Sequence, residues 1–141
     1  MKRALIAAVL VAVLLPTAAA SAGAHKFTHA TGGISMSGPS QHLTFAVFDY
    51  GATGDRGWVE YWNYEYPGGL HYTAQVTTVT VNATGRTATW TYTIPAGFPG
   101  LSGIVVTMYV SDRGSPGAGH DIYGHNGTNY PITAGNLVVH P

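Results

Sequence analysis

Residues 86–94 read RTATWTYTI and alternate without a break. Ala88, Trp90, Tyr92 and Ile94 fall on one side, and Thr87, Thr89, Thr91 and Thr93 on the other. Only a β-strand, whose side chains point to opposite faces at each step, separates two such sets. One face is then built for a core and the other for water. The same period recurs along the chain between clusters of Gly, Pro, Asn and Ser. Ile34 and Met36 mark a short first strand, closed by Gly38-Pro39-Ser40. Residues 42–50 place Leu43, Phe45 and Val47 together, opposite Thr44 and Ala46. Residues 58–66 form a third strand. Residues 70–82 form a long strand or a bent pair, with Val79 and Val81 inward near its end, and Asn82-Ala83-Thr84-Gly85 turns the chain. Residues 104–112, 121–124 and 132–140 complete the set. Past residue 25 the chain is rich in Gly, Thr, Val and Tyr and poor in Leu, Lys and Glu, a balance that favours pleated surfaces over helices. The fold expected is all-β: an antiparallel β-sandwich of about eight short strands, with a β-barrel as the alternative. No internal repeat, linker or low-complexity tail is visible.

The first 24 residues have a different character. Lys2 and Arg3 precede an apolar run over residues 4–15; Pro16 breaks it, and small residues fill 17–24. That order reads as a secretory signal peptide of bacterial type, residues 1–24, with cleavage after Ala22 or Ala24. The apolar run is shorter than the roughly 20 residues that span a bilayer. Twin arginines and a lipid-accepting cysteine are lacking. The expectation is a secreted, extracellular product with no membrane attachment after processing, its residues 25–141 forming a single domain.

Cysteine is absent, so disulfides, thiol catalysis and thiolate metal sites are ruled out together. Beyond the leader, Lys26, Arg56, Arg86 and Arg113 are scattered among Asp49, Asp55, Glu60, Glu65, Asp112 and Asp121. Nucleic acid and anionic membrane surfaces both require clustered Lys and Arg, so neither is an expected partner.

Two segments carry candidate ligand chemistry. In residues 112–121, Asp112 and Asp121 bracket a Gly/Pro loop and Asn126 follows, a set of oxygens that suits Ca2+. The loop lacks the D-x-D-x-[DN]-G density of known calcium loops, and the simpler reading has both aspartates capping a turn. As a mere turn cap, Asn at position 112 would serve nearly as well. Residues 58–72 hold Trp58, Tyr61, Trp62, Tyr64, Tyr66 and Tyr72. Alternation puts Trp58, Trp62, Tyr64 and Tyr66 on one face, a platform on which sugar rings would stack, with Tyr61 on the other. The competing reading makes these rings core. Glu60 and Glu65, five apart, fall on opposite faces of a straight strand and do not flank a glycosidic bond. His25 and His29 near the processed N-terminus suggest Cu2+, and His120 and His125 suggest Zn2+, yet neither pair brings a further ligand. No G-x-S-x-G elbow, phosphate-binding loop or dinucleotide fingerprint occurs. No catalytic residue is assigned, and no enzyme is expected. The glycosylation patterns at Asn82 and Asn126 read as turns.

The stretch Val110-Ser111-Asp112-Arg113-Gly114-Ser115-Pro116-Gly117-Ala118-Gly119-His120-Asp121, with the ending Gly135-Asn136-Leu137-Val138-Val139-His140, resembles a small secreted all-β domain of bacterial surface and exported proteins. That domain is found alone after a signal peptide or behind choice-of-anchor domains. Its members share a V-x-D-x-G-x-P-G-x-G-D hairpin, a final G-G-N-I-x-I-H strand and a V-T-S-V-T-V run, the last matched by residues 76–81. Ser115 stands where the family often has an acidic residue, and His120 is extra before Asp121; both take away from a metal site. The resemblance implies a β-sandwich in an extracellular setting and no known activity. The function expected is a secreted, non-catalytic accessory or interaction domain of unknown ligand. The alternative is a carbohydrate-binding module that uses surface aromatics on cell-wall or extracellular polysaccharide. A metal-dependent hydrolase comes third. No cofactor is expected, Ca2+ excepted.

Overall fold

The computed structural model describes residues 28–36, 40–51 and 54–140. The expected leader with its two cleavage registers, His25 and the Gly38-Pro39 turn lie outside the described residues. Among the described residues nine strands follow one another: β1 (Thr28–Ser35), β2 (Gln41–Asp49), β3 (Arg56–Asn63), β4 (Leu70–Asn82), β5 (Thr87–Thr93), β6 (Val105–Ser111), β7 (Ile122–His125), β8 (Thr128–Pro131) and β9 (Ala134–His140). They form one antiparallel sheet in the order β8-β7-β6-β5-β4-β3-β2-β1-β9. The chain is all-β, as expected, and its sheet is curled into a half-barrel.

Connectivity requires the curl. β8 and β9 are joined only by Ile132 and Thr133, yet they stand at opposite ends of the strand order. Flat, nine strands would hold them roughly 40 Å apart. A two-residue link reaches about 10 Å. The sheet must therefore roll until its ends meet.

β4 supplies the bend. Its first half pairs with β3, from Trp58↔Gln75 to Asn63↔Leu70, and its second half pairs with β5, from Val76↔Tyr92 to Asn82↔Thr87. The register shifts between Val76 and Thr78. Leu70, Tyr72, Ala74 and Val76 are buried before that point and Val79 after it. The inward set thus moves from even to odd positions, as one bulged residue requires. The expected bent reading of residues 70–82 matches this strand.

The core lies inside the curl. Trp90, 0% exposed, packs its ring 4.7 Å from that of Phe45. Gly32 pairs with Phe45 on one side and Leu137 on the other. A Cβ there would sit 2.9 Å from the Phe45 ring, so the glycine makes room for the phenyl group. On β5 the inward set is Ala88, Trp90, Tyr92 and, just beyond the strand, Ile94; on β2 it is Leu43, Phe45 and Val47, all as alternation predicts.

Other expectations are corrected. β1 starts at Thr28, well ahead of Ile34, because Gly32 and Gly33 interrupt the apolar pattern without interrupting the ladder. β3 ends at Asn63, whose side-chain oxygen accepts from the N–H groups of Glu65 and Tyr66 and turns the chain. β8 had no counterpart in the sequence reading: all four of its residues are exposed, so no alternation marks it. The Asn126-Gly127 pair, at φ 49° and 87°, was the available hairpin signal.

The cross-strand pairings also repeat a pattern. Ala30 of β1 lies between Val47 and Val139, and Ala88 of β5 lies between Val110 and Val81. Gly32 lies between Phe45 and Leu137, as Trp90 lies between Met108 and Val79. Strands β1 and β2 thus correspond to β5 and β6, and β9 corresponds to the second half of β4.

Candidate functional site

Loop 112–121 follows β6. Asp112 is 5% exposed and Asp121 is 0% exposed. Asp112 Oδ2 accepts from Val139 N–H at 3.3 Å, and its Oδ1 accepts from Gly114 N–H at 3.0 Å and the Arg86 guanidinium at 2.6 Å. Asp121 Oδ1 accepts from Arg113 N–H at 2.8 Å and its Oδ2 from Leu137 N–H at 3.3 Å. Leu137 and Val139 are two apart on β9, so their N–H groups point the same way, off the edge that β1 leaves open. The two carboxylates fasten that edge to the β6–β7 arm. Gly117 packs against this bridge, and a Cβ there would meet Asp121 Oδ2 at 2.5 Å. Burial by itself would raise the Asp112 pKa, but Arg86 and the N–H groups of Val139 and Gly114 more than offset it and hold it below the ordinary value. Both oxygens of each carboxylate serve as acceptors, more than a simple turn cap uses. Asn126 is not part of this set. It lies past the other end of β7, where its Oδ1 accepts from Thr107 N–H. His120 and His125 are separated in the same way, one at each end of β7, and His29 stacks on His140 with ring centroids 4.3 Å apart.

The aromatic candidates lie elsewhere, on and beside the outer face of β2, β3 and β4. Register sets Trp62 between His42 and His71, Glu60 between Thr44 and Thr73, and Trp58 between Ala46 and Gln75. Trp58 is 38% exposed and Tyr64 is 63% exposed, while Trp62 is half-buried. The His71 ring stacks on Trp62 at 3.4 Å and 11°, and Tyr64 lies 6.0 Å from Trp62 at 25°. His71 Nε2 meets Glu60 Oε1 at 2.9 Å. Trp58, Trp62 and Tyr64 are therefore brought to one face. Tyr66 is not: it sits in the β3–β4 loop and packs against the core. Tyr61 points inward, its hydroxyl donating to Gln41 Oε1 at 3.3 Å. Glu65 also lies in that loop, bonded to the Ser40 hydroxyl, so the strand geometry expected for Glu60 and Glu65 does not apply. His42 and His71 were not among the sequence candidates. Their period places each on an outer face, but only the cross-strand register sets them on either side of Trp62.

Comparison with protein-family models, with curated proteins and with solved structures finds no match to this chain.

Proposed function

We propose that this chain is an exported, non-catalytic interaction domain that holds neutral cell-wall or extracellular polysaccharide on the outer face of β2, β3 and β4. The observation that carries this reading is the placing of Trp58, Trp62 and Tyr64 on one side of a rigid sheet, two of them exposed. The apolar face of a pyranose packs on a flat ring, and a ring has little conformational freedom to lose on binding. Thr44, Glu60 and Thr73 stand in the row between Trp58 and Trp62, with Gln75 beside Trp58, and supply hydrogen-bonding groups for hydroxyls. The weak, scattered charge suits a neutral ligand.

The non-catalytic part of the reading rests on the carboxylates. All six acidic side chains of the chain are engaged. Asp49, Asp55, Asp112 and Asp121 accept backbone N–H groups; Glu60 bonds to His71 and Glu65 to Ser40. The two arms of the curl, with Phe45 of one against Trp90 of the other, support reading them as the leaves of the expected sandwich.

Co-sedimentation with cellulose, chitin and peptidoglycan tests the function. Binding to at least one polymer is expected, weakened about tenfold by Trp58→Ala or Tyr64→Ala without a change in melting temperature. Failure to bind all three, or binding that survives both substitutions, would refute it.

A further inference from the structure

Between the two arms lies a cavity of about 140 Å³, with Leu43 and Tyr61 on one wall and Tyr92, Met108 and His125 on the other, and Met36 at its side. It is separate from the outer aromatic face, since Tyr61 points inward from β3 while Trp62 points outward. Its size is that of a single ring, and its lining mixes apolar side chains with the polar groups of Tyr61, Tyr92, His125 and Asn126. Two of the three methionines of the chain line it. Thioethers adapt to irregular guests and favour aromatic contacts.

One wall also borders a pair of tyrosine hydroxyls, either of which can donate to the other. The hydroxyls of Tyr72 and Tyr92 are 3.2 Å apart, on rings 6% and 2% exposed. Such a pair uses only one of its two hydrogens internally. When Tyr72 donates to Tyr92, the Tyr92 O–H is left to give, and Tyr92 is the member of the pair that lines the cavity. Burial raises the pKa of both hydroxyls, so each keeps its proton. A buried donor without an acceptor is costly, and an acceptor oxygen on a guest relieves that cost.

We propose that this cavity is a binding site for a small, neutral, single-ring molecule bearing one acceptor oxygen, which accepts from the Tyr92 hydroxyl while the ring packs on Met36, Met108 and Tyr61. The test uses the full chain carrying 13C-labelled methionine methyl groups, titrated with acetophenone and with ethylbenzene, a near-isostere that lacks the oxygen. The expected result is saturable movement of the Met36 and Met108 resonances, with acetophenone bound about tenfold more tightly. Tyr92→Phe should make the two probes equal. Val106→Trp, which fills the cavity from a partly exposed lining position, should abolish both responses and keeps the proposal testable if Tyr92→Phe does not fold. Shifts that do not saturate, water as the only occupant, an acetophenone preference that survives Tyr92→Phe, or binding that persists in Val106→Trp would each overturn it.

Discussion

The loop between β2 and β3 and the loop between β6 and β7 carry the same device in different surroundings. Asp49 accepts from Gly51 N–H through Oδ1 and from Val81 N–H through Oδ2; Asp112 accepts from Gly114 N–H and Val139 N–H in the same way. Asp55 then takes Val79 N–H, as Asp121 takes Leu137 N–H. Each pair of aspartates grips two N–H groups two residues apart on a strand edge. What differs is how that strand is otherwise held. The second half of β4 has β5 beside it and is continuous with its own first half in the β3 ladder. β9 has only β1 and a two-residue link from β8. The first pair of aspartates is half-buried; the second is buried, with Arg86 added. The comparison teaches that one local motif reinforces a strand already fixed in one place and closes the sheet in the other.

The centre of the repeat gives the largest test. Gly32 and Trp90 occupy corresponding positions, and the indole of Trp90 packs against the Phe45 ring that Gly32 makes room for. Trp90→Ala should cost about 3–5 kcal/mol in urea unfolding, as large aromatic truncations do. A loss below about 1 kcal/mol would mean that this ring does not hold the two arms together.

The clamps come next. Asp121→Ala leaves Arg113 N–H and Leu137 N–H without their acceptor at a fully buried site, and about 3 kcal/mol should be lost. Asp55→Ala frees Val79 N–H where water can reach it, at about 1 kcal/mol. Hydrogen exchange should quicken at Leu137 and Val139 in the first variant and only at Val79 in the second. Equal losses would break the comparison. Asp112→Asn should also be costly, since an amide has one oxygen where the carboxylate uses two.

Acid should distinguish the two regions without mutation. His29 of β1 lies opposite His140 of β9, and burial together with the nearby His140 lowers the His29 pKa below 6.5. The fold thus favours neutral His29: its stabilising contribution is complete above pH 6.5 and is lost as pH falls through the lowered pKa. Asp112 loses its contribution only in stronger acid, below its ordinary 3.8, because its folded pKa is depressed and the carboxylate must be protonated. Protection factors at β9 should therefore fall in two steps on acidification, the first removed by His29→Asn and absent at Val79 and Val81. A single transition shared by β4 and β9 would contradict this.

Period-two patterning made β2 and β5 legible because their inner and outer residues differ so sharply, and the bend in β4 showed as a change in which positions are apolar. Two things were not legible. β8 has no buried face, and hydrophobicity marks a strand only when it has one. The repeat and the Trp62 flanks depend on cross-strand register, which joins residues far apart in sequence. Val-x-Asp-x-Gly at residues 47–51 and again at 110–114 was the visible trace of the repeat, but its meaning lies in the N–H groups of strands 32 and 27 residues downstream.

Calcium should have the smallest effect. A bound ion would have to win carboxylate oxygens already accepting backbone N–H groups, and Asn126, the third expected ligand, lies beyond the far end of β7. Loop 49–55, with the same acceptor pattern, serves as an internal control: an ion selective for 112–121 would show in β9 exchange and leave β4 unchanged. If Ca2+ bound the folded state alone, a hundredfold excess over its dissociation constant would add about 2.7 kcal/mol by mass action. A melting temperature indifferent to millimolar Ca2+ and to chelator is the expected outcome. A rise that Asp112→Asn abolishes would show that the closing clamp doubles as a cation site and that the two loops differ in chemistry as well as in surroundings.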